Sequence, residues 1–224
     1  MTDTHSQFAP AFDARHGDTA GPPAMAKGSG RRTARTRERL IAAARRVLIN
    51  EEGAAEIGAI AKAAGVSAGI AYHHFGSKDG LIAAVVEDFY ARYAAVANAR
   101  YPGASWAERE IQRTRAVVAF LVDDTFTPTL FGALSRASAV VNAESACMAD
   151  LVEHGAHNIA RGQDDGDLPR QSDPALAAAF VLGGMRQAVT AALLREARPE
   201  PVALARQVWI LIASSLGLRV GSKT

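Results

Sequence analysis

From Thr36 onward, apolar residues recur at helical spacing almost without interruption. Leu40, Ile41, Ala44, Val47 and Leu48 share one stripe, which predicts a helix over 36–51 that Gly53 closes as a left-handed cap. Ile57, Ile60, Ala61 and Ala64 repeat at i, i+3, i+4 and i+7 and predict a short helix over 56–64. Gly65 permits a tight reversal, and Ser67 is a good N-cap for a third short helix over 68–74. Ser77 or Asp79 opens a longer helix to about residue 98, with Leu81, Ile82, Val85, Val86, Phe89 and Tyr93 on its packed face. Tyr101-Pro102-Gly103 breaks it. Further helices are expected at 105–123, 127–142, 144–162, 173–196 and 201–218. Asp173-Pro174 supplies a cap followed by proline at the first helical position, and 162–171 reads as a polar loop. Strand formers never alternate over a useful length, so the expected class is all-α.

The length of 224 residues suits one large domain or a small head and a larger body, and the 49% apolar content can bury a sizeable core. A single cysteine, Cys147, excludes a disulfide within the chain and fits a reducing, cytoplasmic setting. Residues 1–30 are rich in Gly, Pro, Ala, Ser and Thr without periodicity; a disordered leader is expected, with no apolar segment of the secretory kind. The longest uncharged apolar stretches, Pro174–Met185 and Gln207–Leu218, are shorter than the roughly 20 residues a membrane helix needs, so no membrane partner is expected. The net charge of +2 says little, but its distribution says more. Lys27, Arg31, Arg32, Arg35, Arg37, Arg39, Arg45 and Arg46 cluster with only Glu38 among them. Such a block suggests a polyanion at that end, the alternative being a solubilising tail.

Two brief helices joined by a Gly-containing turn form the helix-turn-helix pattern. The stretch Ile60-Ala61, Ala64-Gly65-Val66-Ser67, Gly69, Tyr72-His73-His74-Phe75 and Ser77-Lys78 resembles the DNA-reading segment of the TetR family, within a match running from Leu40 to Leu81. Gly65 makes the turn, and Val66 and Phe75 anchor the helix crossing. Tyr72 offers a hydroxyl and Lys78 a point charge to phosphates. The third helix, with Ser67, Ala68, Gly69, Ile70 and His73, would offer side chains to base edges in the major groove, and Arg35 would add a contact from the basic block. The sequence departs from the family pattern twice. Ala55 or Glu56 stands where a threonine usually opens the second helix, and Glu56 would repel phosphate. Ile70 stands where threonine often follows the glycine, and it would touch a thymine methyl instead.

The resemblance implies a leader over 1–30, a DNA-binding domain over 31–78 and a helical sensing and dimerisation domain over 79–220. It further implies a homodimeric repressor of a palindromic double-stranded operator, released by a small-molecule effector, with no cofactor. Trp106, Phe120, Phe126, Phe131, Met148, Phe180 and Met185 are candidate linings of an apolar effector pocket, the alternative being ordinary core. The last two helices are rich in small residues; Leu182, Val189, Leu193, Val208, Trp209 and Ile212 are candidates for a dimer interface, the alternative being a monomeric core. His154 and His157 share a helix face, which suits a solvated surface better than a metal site, and Cys147 has no cationic neighbour to activate it. No phosphate loop, nucleophile elbow or convincing carboxylate pair supports an enzyme. A constitutive DNA-binding protein without a ligand is the remaining alternative, distinguished by the absence of a pocket.

Overall fold

A computed structural model describes residues 26–219, which contain nine helices and no strand. The first, α1 (Ala26–Asn50), begins at Ala26 rather than Thr36. Residues 26–30, expected in the leader, are therefore helical, and the rest of that leader lies outside the described residues. Gly28 and Gly30 disfavour helix by about 1 kcal/mol each, but extending an existing helix needs no new nucleus. The residues from Thr36 onward form one compact unit. α1 closes through Glu52 and Gly53, whose φ values of 49° and 89° are both left-handed, with the Gly53 N–H donating to the Leu48 carbonyl at 2.8 Å.

The next helices follow the expected boundaries closely: α2 (Ile57–Ala64), α3 (Ala68–Phe75), α4 (Lys78–Ala97) and α5 (Trp106–Asp123). The middle of the chain differs from expectation. Instead of two helices of similar length there are a single-turn α6 (Thr127–Phe131) and a long α7 (Ser138–Asp164). Gly132, at φ −102° and ψ −98°, unwinds the chain after α6. Asn142-Ala143-Glu144, polar enough to suggest a helix start, sits inside α7 because Glu144 is a buried partner rather than a surface cap. It accepts from the Tyr90 hydroxyl at 2.5 Å and pairs with Arg186 at 2.9 Å. The chain ends in α8 (Pro174–Leu193) and α9 (Pro201–Ser215).

α4 is the spine: it packs on α3, α5 and α7, while α7 packs on α8, and α9 on α5 and α8. Phe89 of α4 is fully buried, with the rings of Tyr90, Phe120, Phe126 and Phe131 at centroid distances of 5.3, 5.4, 6.2 and 6.2 Å. Such tilted and edge-on pairs add to the area the rings bury. α8 corrects one expectation. It runs to Leu193, past Arg186 where the uncharged stretch stops, and is long and apolar enough to cross a membrane by length and composition. Here Arg186 is held by Glu144 and the inner face of α8 packs on α7 and α9.

Candidate nucleic-acid interface and internal cavity

The α2–α3 unit is built by local chemistry. Gly65 takes φ 67°, the left-handed conformation glycine adopts without a side-chain penalty, and lets its own N–H close the end of α2. The Ser67 hydroxyl accepts from the Ile70 N–H and starts α3; the Ser77 hydroxyl accepts from the Gly80 N–H at 3.0 Å and starts α4. α3 and α4 meet so closely at Gly80 that a Cβ there would lie 2.2 Å from the Phe75 carbonyl oxygen. The inner side of α3 is Ala71, fully buried, with Val66 and Phe75 half-buried against the core. Its outer side presents Ser67, Gly69, Ile70, Tyr72 and His73; Tyr72 is 50% exposed and Ile70 41%. Ala68 and His74 are half-buried.

The basic block divides. Arg39 donates to the Ala64 carbonyl at 2.5 Å and Arg46 to the Ala63 carbonyl at 3.4 Å, so both satisfy the C-terminal end of α2. Arg37 lies over the Phe75 ring at 5.4 Å, and Arg45 is ion-paired to Asp124. These four hold helices together. Arg31 and Arg35 lie exposed on the first turns of α1. Lys78 reaches Glu56 at 3.3 Å, so the acid that breaks the expected pattern also engages the lysine expected on a phosphate.

The candidate dimer residues lie elsewhere than expected. Val189, Leu193, Val208, Trp209 and Ile212 are buried within the chain itself, and Leu182 lines the internal cavity. Both faces of α8 and α9 are apolar, and the bulkier set turns inward. The outward stripe of α8 consists of Leu176, Phe180, Gly183, Gly184, Gln187 and Ala191, continued by Leu194 beyond the helix end. Leu176 is 73% exposed, Phe180 67%, and Val202 and Leu211 of α9 are 73% and 64%.

A cavity of about 540 Å³ is lined by residues of α4, α5, α7, α8 and α9. That is within the common range for small-molecule sites, about 300–1,000 Å³. Of the candidate pocket residues, Trp106 and Met185 line it. Phe120, Phe126 and Phe131 instead form the ring cluster around Phe89, Met148 packs half-buried on the core, and Phe180 points outward. Aromatic size marked core here, because the rings have Phe89 to pack against. Residues the sequence did not single out carry the polar chemistry. Glu110 is buried and accepts from Arg113 Nε at 2.9 Å and Asn158 Nδ2 at 3.0 Å. Arg113 also donates to the Ala97 and Ala99 carbonyls, tying α5 to the end of α4. Burial alone holds the Tyr93 hydroxyl well above its ordinary pKa. The buried Trp106 indole N–H has no acceptor among the described residues. Polar residues on helices read as solvated surface; nothing in their spacing announces that α4, α5 and α7 converge there.

His154 and His157 are exposed at the cavity rim, the His154 Nδ1 lying 2.8 Å from the Asp150 carbonyl oxygen; no metal-holding cluster occurs among the described residues. Burial, then the charges of Glu87 and Asp150, push the half-buried Cys147 thiol up, away from the reactive thiolate. At the far end of α5, Asp124 accepts from Arg45 of α1 and Arg92 of α4, each at 2.6 Å, and from the Phe126 N–H at 2.8 Å.

Residues 40–85 match the family model for bacterial regulatory proteins of the tetR family. The fold is shared with a putative TetR-family transcriptional regulator from Syntrophomonas wolfei, at a TM-score of 0.70 and 16% identity over 84% of this chain and 98% of the other. The regulator FadR from Bacillus subtilis, solved with stearoyl-CoA, gives 0.68 and 19% over 80% and 98%. RolR, solved with resorcinol, gives 0.63 and 21% over 85% and 91%. A search of curated proteins gives no significant match.

Proposed function

We propose that this chain, which belongs to the TetR family of bacterial regulatory proteins, binds a palindromic double-stranded operator as a homodimer and represses until a small, mainly apolar ligand enters its cavity. The observation that carries the reading is the outer face of α3. Tyr72, Ile70 and His73 are exposed on a short helix whose start, turn and backing are fixed by Ser67, Gly65 and Ala71. A helix so presented suits the major groove, with Tyr72 and Lys78 on phosphates. Residues 31–78 then act as the reading head and 79–220 as the sensing and dimerising body. The site chemistry is that of a binding protein, working in the cytoplasm where the DNA is.

Two reading heads need a fixed spacing, and the outward stripe of α8 and α9 supports the dimer. Leu176, Phe180 and Leu211 would each gain about 1.5–3 kcal/mol on full burial. Two helices join cavity and head. α4 starts beside α3 and ends with Tyr93 and Ala97 on the cavity, about 22 and 28 Å away by helical rise. α5 lines the cavity with Trp106 through Val117 and ends on the Asp124 clamp to α1. A ligand that shifts either helix changes the set of the heads. A hundredfold loss of DNA affinity requires only about 2.7 kcal/mol of coupling.

The experiment is selection of bound duplexes from random DNA, followed by ligand titration with and without the selected operator. The expected selection is an inverted repeat, and the expected titration shows operator weakening ligand binding by the factor with which ligand weakens operator. Equal enrichment of random duplexes would refute the DNA reading, and equal ligand affinities would refute the effector reading.

A further inference from the structure

We infer that the cavity takes an anionic amphiphile: an apolar body inside, and a carboxylate or phosphate head at an arginine-lined mouth. The inference rests on the reading of this cavity as the effector site and names the ligand's chemistry.

The lining is divided in polarity. Its interior includes Val117, Leu151, Ile159, Met185, Ile212 and Leu216, all buried and apolar. Its exposed members are Asn98, Arg100, His154, His157 and Arg161, every one polar, so the cavity opens to solvent at the end of α4 and along the second half of α7. An apolar body gains by leaving water for the interior, while a charged head stays at this rim.

The sign of the head follows from the lining's donors and acceptors. Four arginines line the cavity against one carboxylate, Glu110. Glu110 is already engaged by Arg113 and Asn158, so it offers a cationic ligand little. Arg113 is likewise engaged, and Arg109 is shared between Asp167 at 3.8 Å and the Gly103 carbonyl at 3.3 Å. The side chains of Arg100 and Arg161 make no ion pair or hydrogen bond among the described residues. The buried Trp106 N–H is a further donor without an acceptor. Two exposed, unpaired guanidiniums at the rim attract an acceptor-rich head, and a guanidinium favours a planar or tetrahedral oxyanion over a hydroxyl. A cationic amphiphile meets like charge there.

The test uses the full-length protein without DNA and isothermal calorimetry below micelle-forming concentrations. Two bodies, dodecyl and naphthyl, are each offered with carboxylate, phosphate, hydroxyl and ammonium heads. At least one body is expected to bind as an anion about tenfold or more tightly than as the alcohol, with the ammonium weakest. Preference between carboxylate and phosphate separates a free acid from a phosphorylated ligand; either supports the inference. The surface variant Arg100→Glu/Arg161→Glu should erase the anion preference, read as the ratio of anion to alcohol affinity in the same variant. Circular dichroism and thermal unfolding check that it folds. The inference is overturned if the alcohol or ammonium equals the anion for both bodies, if no probe binds, or if the preference survives the double charge reversal. An anion that binds with this dependence yet leaves the operator complex intact overturns the effector reading alone. A neutral or cationic compound that binds the cavity and releases DNA overturns the anionic class alone.

Discussion

Asp124→Asn tests the junction of α5, which lines the cavity, with α1 and α4. The Asp124 carboxylate, 5% exposed, holds Arg45 at 2.6 Å and Arg92 at 2.6 Å, whose side chains are 28% and 37% exposed. Breaking a fully buried pair by removing one partner costs about 3–5 kcal/mol. Here both side chains are partly exposed, although Arg45 Nε and Arg92 Nη2 are buried without a partner among the described residues, so each guanidinium recovers only part of its hydration, and the asparagine oxygen can still accept the Phe126 N–H. About 2 kcal/mol of lost stability is therefore expected, between a charged hydrogen bond and a buried unpaired ion. Burial by itself would push the Asp124 carboxyl up. The hydrogen bonds from Arg92 and the Phe126 N–H, with the nearby Arg45 charge, outweigh it and hold the carboxyl below its ordinary 3.8. A depressed carboxyl contributes stability above its unfolded pKa and loses it as pH falls through the folded value. The wild type should thus lose this contribution only below about pH 4, and the variant should lack it at every pH. Urea unfolding at neutral pH and at stepped acid pH measures both. A loss under 0.5 kcal/mol, or an acid limb identical in variant and wild type, refutes the clamp.

Other outcomes follow from the same geometry. Lys78→Ala and Tyr72→Phe should weaken DNA binding across all sequences, the lysine change flattening the log K against log salt slope by about one unit per head; unchanged affinity removes the phosphate role. Glu56→Gln should strengthen binding at low salt, because it frees Lys78 from its 3.3 Å partner and removes a charge that repels phosphate; weaker binding would contradict this. Gly80→Ala should destabilise the α3–α4 corner, since its Cβ meets the Phe75 carbonyl at 2.2 Å, and calorimetric unfolding with a native-like melting temperature would show that the corner yields. Phe180→Glu with Leu211→Glu should leave the fold intact, because both side chains are exposed, and convert a dimer to a monomer by light scattering; an unchanged mass places the dimer contact elsewhere.

The head was legible because its signals are local. Gly65, Ser67 and Ser77 each act on backbone groups within a few residues, so the order of residues alone specifies the turn and both caps. The body was legible as helices but not as a site. Phe120, Phe126 and Phe131 gather on Phe89 from separate helices, and only packing tells such a cluster from a pocket lining. Glu144 illustrates the converse. In sequence it resembles a surface acid at a helix start; in the fold it is a buried acceptor for Tyr90 and Arg186. On α8 and α9, apolar residues occupy both faces, so periodicity locates the stripes without saying which is inner. Val189 and Ile212 went in, and Phe180 and Leu211 stayed out.

Why the arginines divide as they do has a physical basis. A cluster of cations beside a polyanion binds strongly but without a preferred geometry. Here Arg39 and Arg46 are spent on the carbonyls ending α2, Arg37 on the Phe75 ring and Arg45 on Asp124. Together the four ties fix α1 against three elements: α2, α3 and the end of α5. A charge so engaged adds less to non-specific attraction and leaves α1 in contact with both α3 and the end of α5. On the proposed reading, geometry rather than total charge would then decide how well two copies of α3 meet an inverted repeat, and a change of a few kcal/mol at the Asp124 clamp would suffice to alter it.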